Sequence, residues 1–328
     1  MEKIERVAVT GGSGHLGTAV ILEALARGFT VYAGYSSYKP KIENPRLTWF
    51  QGDLGTTPLE KLLGDAQAVI HTAARISVHG DKDGSVMKTN VEGTRNLLDL
   101  CRAKNNIRLV HVSSAGCVVE KPGNTVFDES RPLKGAGAPA YDYSKALAEE
   151  LVRQYVRDHD VDAVIVRPSG IFGQPDLRGS IISTMMKEIY MGKLPVLISG
   201  GYDLVDVRDV AIGTLNAMTM GRKGETYLLS GLYQTLKDLA HKLEKLGGAK
   251  APPCIPVSLV IALLPLVRLF SRLSGSGDSF TREGLTIFRD GHPNMDSGKA
   301  RKELDYQPRP IKDSLHDLVS WWREEEQK

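Results

Sequence analysis

A chain of 328 residues with 41% hydrophobic side chains is long enough for one large domain or two modest ones around a substantial core, which excludes a mainly disordered protein. Lysines and arginines number 42 against 39 aspartates and glutamates, a net charge of +3 that is too small to indicate a nucleic-acid partner or a polybasic membrane contact. Cys101, Cys117 and Cys254 show neither metal-ligand spacing nor an even count for a disulfide framework, so no metal site is expected and a reducing compartment is favoured.

In chain order, residues 1–6 are charged and run straight into a strand-like segment, leaving no apolar region for a signal peptide. The expected location is cytoplasmic. From there to about residue 168, short β-branched runs alternate with helical patterns, the signature of βαβ units and a parallel sheet. Strands are expected at 6–10, 30–35, 47–51, 68–71, 107–113 and 163–167, and helices at 16–27, 58–63, 84–104 and 141–158. After Pro168 the rhythm breaks into helices, short strands and Pro/Gly-rich connections at 247–256 and 274–278, the composition of a smaller lobe. Residues 255–270 are strongly apolar but broken by Pro256 and Pro265, and fall short of the roughly 20 residues of a spanning helix. They are read as an amphipathic cover over an apolar pocket, not a transmembrane anchor, with peripheral membrane contact the less favoured reading. Met185, Met186 and Met191 are candidates for lining such a pocket, though methionines at helical spacing are more often core.

The run Thr10-Gly11-Gly12-Ser13-Gly14-His15-Leu16-Gly17 follows the first strand and opens a helix, the context that makes a glycine pattern specific. The first motif glycine permits the tight turn, the second lets backbone approach a pyrophosphate, and the third lets helix and strand pack closely. The anion then meets free N–H groups at the positive end of a helix dipole. Gly11, Ser13, Gly14, His15, Leu16 and Gly17 are therefore the expected dinucleotide turn, with His15 an incidental member. NAD selectivity usually comes from an acid at the end of the second strand, and none stands in Tyr35-Ser36-Ser37-Tyr38-Lys39. A 2′-phosphate would meet Ser36, Ser37 and Lys39 instead. This leans to NADP(H) over NAD(H), although no arginine ends the strand and the same residues suit an ordinary polar loop.

Tyr141 and Lys145, four apart in a helical pattern, project from one face. A phenol of pKa about 10 is a weak base at neutral pH, and a nearby ammonium with a positive helix start would favour the phenolate. Tyr141 would then exchange a proton with a substrate oxygen while a nicotinamide carries the hydride. A hydroxyl at the end of the fifth strand should hold that oxygen, and Ser113 and Ser114 both stand there.

Taken together these motifs resemble an extended short-chain dehydrogenase/reductase of the NAD-dependent epimerase/dehydratase superfamily, over nearly the whole chain. Gly11, Gly14 and Gly17 match the family's glycine spacing, Asp53-Leu54 its adenine contact, His71-Thr72-Ala73-Ala74 its cofactor-lining strand end, and Asn90-Val91-Glu92-Gly93-Thr94 a helix motif. Arg167-Pro168-Ser169-Gly170 stands at the place of its sixth-strand motif, while Val205-Asp206-Val207-Arg208-Asp209-Val210 and Ala300-Arg301-Lys302-Glu303-Leu304-Asp305-Tyr306 resemble second-lobe signatures. The resemblance implies an α/β Rossmann fold with a doubly wound parallel sheet: residues 1–170 bind NAD(P), segments near 200–230 return to that domain, and 171–328 form mainly a C-terminal substrate lobe. It implies that Asp53, Leu54, Thr72, Ala73, Ala74, Asn90 and Pro168 join the cofactor site, that Lys145 also holds the nicotinamide ribose, and that Ser114 is the third catalytic residue, with Ser113 left open. A homodimer is frequent among such families.

The Asp-Glu pair that follows the serine or threonine in sugar-nucleotide 4,6-dehydratases is replaced by Ala115-Gly116, and Gly170 stands where sugar-nucleotide epimerases often carry an asparagine. The closest resemblance is to the dihydroflavonol reductase and 3β-hydroxysteroid dehydrogenase branch. It implies an NADP(H)-linked oxidoreductase interconverting carbonyl and alcohol on a bulky, weakly polar small molecule. The alternatives are an NAD-dependent sugar-nucleotide epimerase and a non-catalytic dinucleotide sensor or scaffold, whose usual mark is a broken tyrosine–lysine pair.

Overall fold

The structure is a computed structural model describing residues 3–54, 59–77, 80–104, 107–260, 262, 289 and 291–327. The first half builds β1 (Arg6–Thr10), α1 (His15–Ala26), β2 (Thr30–Tyr35), β3 (Leu47–Gln51), α2 (Glu60–Leu63) and β4 (Ala68–His71). It continues through α3 (Ser85–Met87), α4 (Gly93–Lys104), β5 (Arg108–Val112), α5 (Ala140–His159) and β6 (Ala163–Pro168). The second half adds β7 (Gly170–Phe172), α6 (Ile181–Tyr190), β8 (Leu197–Ile198), β9 (Gly201–Asp206), α7 (Val207–Met220), β10 (Thr226–Leu229), β11 (Leu232–Thr235), α8 (Leu236–Lys245), β12 (Cys254–Ile255), α9 (Gly298–Leu304) and α10 (Ile311–Glu325).

Among the described residues, one sheet has the strand order β10-β6-β5-β4-β1-β2-β3 with every neighbouring pair parallel. The inner strands are near-continuous Val, Ile, Leu and Ala because helices cover both faces. Period-two alternation divides them: Val7 and Val9 of β1 join one core with α1 and α7, and Ala8 joins the other with α4 and α5. The chain winds from β1 out to β3, then returns through β4 to β6 on the other side. That reversal opens a crevice at the carboxyl ends of β1 and β4, the place where doubly wound sheets bind ligands.

The helix expected over 84–104 is interrupted by a π-helical turn at Lys88–Glu92. The extra residue turns the Asn90 side chain inward, where its Oδ1 accepts from Arg75 N–H at 2.7 Å and its Nδ2 donates to Ser144 Oγ at 2.8 Å. Residue 58, the expected start of α2, lies outside the described residues.

A three-stranded sheet (β11-β9-β7) and the pair β12-β8 belong to the second lobe. Its core joins Phe172 and Leu204 to α6, α8 and α10. Met186 is fully buried in that core, Met185 packs against it, and Met191 is 45% exposed. Of the apolar stretch 255–270, Ile255 pairs with Ile198 and residues 257–260 are helical. Beyond 260, save 262, the stretch lies outside the described residues, as do residues 274–278. No helix among the described residues is long and apolar enough to cross a membrane.

Candidate active site

At the carboxyl end of β1 each motif glycine has a steric reason. Gly11 has φ +69°, and a Cβ there would come within 2.6 Å of Ala73 Cα; a Cβ on Gly17 would collide with the Gly11 carbonyl oxygen. Gly14 is the N-cap of α1, no side chain caps that end, and no acid occupies its first turn. The first amides of α1 are therefore presented to an anion without competition, which fits the pyrophosphate of a dinucleotide. Thr72 Oγ1 donates to the Thr10 carbonyl at 2.7 Å and ties the β4 end to the turn.

From this turn a cleft of about 250 Å³ runs toward β2 and β3, lined by Gly11, Ser13, Gly14, Ser36, Asp53, Leu54, Thr72, Ala73 and Ala74 among others. Gly93 is required beside it, since a Cβ would come within 2.9 Å of Leu54 Cβ. Not every expected cofactor residue turns its side chain to this cleft, and His15 and Leu16 can meet an anion only through their backbone amides at the start of α1. Ser37 and Lys39 are not part of the lining, and the cations that are, Lys61 and Arg178, went unmarked in the sequence. His15 Nε2 meets the Gly173 carbonyl at 2.8 Å, so its ring pins the second lobe to α1. The Leu16 side chain joins the core. Asn90 is buried, with its amide held by Arg75 and Ser144, and Pro168 ends β6 opposite Leu229.

One strand further along the same edge, Tyr141 and Lys145 occupy the first turns of α5. Lys145 is buried and donates through Nζ to the Val112 carbonyl at 2.5 Å, at the end of β5. Burial lowers its pKa to about 8, against the opposing pull of Cys117 and Glu149. Tyr141 departs from expectation. Burial and the neighbouring Asp142 carboxylate push its phenol up, not down, and a hydrogen bond with the Ser114 side chain only partly opposes them. The phenol is therefore held protonated at neutral pH.

The two serines take different partners. Ser114 Oγ accepts from Gly116 N–H at 3.0 Å and faces the Tyr141 phenol. Ser113 turns inward and donates to Glu149 Oε2 at 2.7 Å. Glu149, one turn beyond Lys145, is fully buried and receives Arg167 through Nε at 3.0 Å and Nη2 at 2.6 Å. Burial, the largest single influence, works to raise the Glu149 carboxyl, but Arg167, Ser113 and Arg153 together outweigh it and hold it below the usual range. A glutamate on the buried stripe of α5 and an arginine inside the β6 run were the available signals for this pair.

Beneath the site, His71 and His111 lie side by side with ring centroids 5.4 Å apart. Thr94 donates its hydroxyl to the Asn90 carbonyl, so it can only accept from His71 Nε2, leaving His71 Nδ1 to accept from Thr10 Oγ1 at 2.7 Å. Burial first, then Lys145, lowers His71 to about 3, consistent with that neutral tautomer. His111 is fully buried and neither ring nitrogen has a hydrogen-bond partner.

On the second lobe's side, Lys134 joins Glu120 at 2.6 Å and Asp142 at 2.8 Å. Tyr202 of β9 lies against Gly170, where a Cβ would come within 2.7 Å of the ring. Burial raises the Tyr202 phenol, reinforced by Asp142, Glu120, Asp203 and Tyr141.

Residues 7–230 match the model of the NAD dependent epimerase/dehydratase family. Sterol demethylase protein B of Methylococcus capsulatus is 31% identical, covering 96% of this chain and 98% of that protein. The 4-hydroxy-2-methyl-3-oxo-4-farnesyl-3,4-dihydroquinoline-1-oxide ketoreductase of Stigmatella aurantiaca is 30% identical, covering 93% and 92%. The crystal structure of gox2253 superposes with a TM-score of 0.84 at 28% identity, covering 98% of both chains.

Proposed function

The chain belongs to the NAD-dependent epimerase/dehydratase family, and from that premise we propose that it interconverts a carbonyl and an alcohol on a bulky, weakly polar substrate, with NADP(H) preferred to NAD(H). The observation that carries the reading is the convergence of Ser114, Tyr141 and Lys145 at the end of β5, beside the crevice that holds the dinucleotide turn. The nicotinamide, when bound, supplies or accepts the hydride. Tyr141, held protonated, gives its proton to the substrate oxygen in the reducing direction and takes it back in the oxidising one. The Ser114 hydroxyl holds that oxygen beside the phenol. Lys145, fixed by the Val112 carbonyl, supplies adjacent positive charge below its pKa of about 8.

Two features favour an apolar carbonyl compound over a sugar nucleotide. Tyr202 fills the space into which a side chain at residue 170 would project, so no amide can stand there. Ala115 and Gly116 place no carboxylate after Ser114, and Asp142, which lies near Gly116, is engaged by Lys134. The cofactor preference is supported at the adenosine end, where Asp53 is the one carboxylate among the lining residues and no acid follows Tyr35.

The test is NADPH oxidation against a panel of hydrophobic aldehydes and ketones. Tyr141→Phe should lower turnover about 10²- to 10⁴-fold while NADPH affinity stays within about twofold, since the hydroxyl is needed for proton transfer rather than binding. Failure of the wild type to turn over any member, or release of tightly held NAD on denaturation, would overturn the reading.

A further inference from the structure

The end of β2 carries no arginine, yet the cleft beside it is not without cations. Arg178 reaches it from the connection between β7 and α6, in the other lobe, and Lys61 from α2. The Arg178 guanidinium carbon lies 5.9 Å from the centroid of the Tyr38 ring, which places its charge at the loop following Ser36. Both cations are exposed, so neither is committed to the core.

The segment that carries Arg178 is anchored on both sides. Before it, the Gly173 carbonyl meets His15 Nε2 at 2.8 Å; after it, the Ser180 N–H donates to the buried Asp176 Oδ2 at 2.6 Å. The arginine is thus mounted on a braced loop whose position is keyed to the first turn of α1, the element that presents amides to the pyrophosphate. A phosphomonoester carries about −1.5 to −2 charges at pH 7, and a guanidinium is suited to grip it with two parallel hydrogen bonds.

We infer that Arg178, with Lys61 also lining the cleft and Ser36 at the strand end, receives the 2′-phosphate of the cofactor, so that the residue selecting NADP(H) comes from the substrate lobe and not from the end of β2. The assignment rests on the NADP(H) preference proposed above. It also couples the lobes: a 2′-phosphorylated dinucleotide would bridge the glycine turn and the 173–180 segment, whereas the unphosphorylated form would leave Arg178 without an anion.

The experiment measures dissociation constants for NADPH, NADH, 2′,5′-ADP and 5′-ADP with wild type, Arg178→Met, Lys61→Met and Lys39→Met. Arg178→Met should weaken NADPH and 2′,5′-ADP about 10- to 100-fold, with NADH and 5′-ADP within about twofold. Lys61→Met should act in the same direction and by less, a free ammonium making a point contact. A wild type that prefers NADPH alongside an Arg178→Met variant that keeps that preference overturns the assignment alone. Loss of the preference in Lys39→Met, and not in Arg178→Met, overturns it equally. A wild type that binds NADH at least as tightly as NADPH overturns the assignment together with the cofactor preference it rests on.

Discussion

At the glycine turn the molecule presents bare backbone, whereas at the start of α5 it surrounds Tyr141 and Lys145 with buried charge. The turn works by what it lacks: no Cβ on Gly11 or Gly17, no side-chain cap on α1, no acid in that helix's first turn. The α5 site works by what lies behind it: Glu149 and Arg167 fully desolvated against one another, Ser113 bonded to Glu149, and two neutral histidines under Lys145. A site made of backbone is damaged by adding an atom. A site made of buried charge is damaged by removing one.

The largest expected effect breaks the charged side of this comparison. Arg167→Met removes the buried ion-pair partner of the Glu149 carboxylate, leaving it the half-buried Arg153 and the Ser113 hydroxyl, and should cost about 3–5 kcal/mol of unfolding free energy by chemical denaturation. The double variant Glu149→Met/Arg167→Met should recover most of the loss, because a well-packed apolar pair needs no desolvation offset. A double variant as unstable as the single would show that the cost was packing and not charge.

An intermediate effect tests the backbone side. Gly17→Ala puts a Cβ against the Gly11 carbonyl, and the turn must shift to admit it at about 1–3 kcal/mol. Dinucleotide affinity by calorimetry should fall about 5- to 150-fold, for NADPH and NADH alike, since both share the pyrophosphate. A loss confined to NADPH would mean that the turn reads the 2′-phosphate, which the geometry opposes.

The smallest effect sharpens the contrast within the α5 half. His111 carries two unpartnered buried nitrogens, so His111→Phe should gain about 1 kcal/mol at pH 7. Burial, then Lys145 and His71, lower the folded-state pKa of His111 well below 6.5. The unfolded chain therefore takes up a proton below about pH 6.5 that the folded chain refuses, and wild-type stability is lost as pH falls through that value. The advantage of His111→Phe should widen from pH 7 toward pH 5 in parallel denaturation curves. A constant advantage would show that His111 finds a proton-accepting partner in the folded protein.

Much of this organisation was legible in the chain. Strands β1 to β4 have the expected bounds, in β1 and β4 because a buried parallel strand needs apolar side chains on both faces within a few residues, while β3 at the sheet edge has no buried residue. The three glycines, the Tyr141–Lys145 spacing and the missing acid after Tyr35 are likewise local: each depends on residues within about two turns or one loop. The direction of the Tyr141 shift was not legible. Lys145 and the helix start argued for a lowered pKa, but burial by distant elements and the Asp142 side chain decide it.

What the sequence by itself determined is the repeating βαβ frame, the glycine turn before α1 and the identity of the side chains at the end of β5, all set by periodicity and by conformations that only particular residues adopt. Tertiary structure alone decided that Ser113 serves the Glu149–Arg167 pair while Ser114 faces Tyr141, that the amide of Asn90 braces the Arg75 loop against α5, and that Lys61 and Arg178 line the cleft beside β2. Those pairings join positions from 15 to more than 100 residues apart in a chain numbered to 328. They exist only once the two cores have closed and excluded water, which is when an unpaired charge or amide becomes costly and the chain must supply a partner.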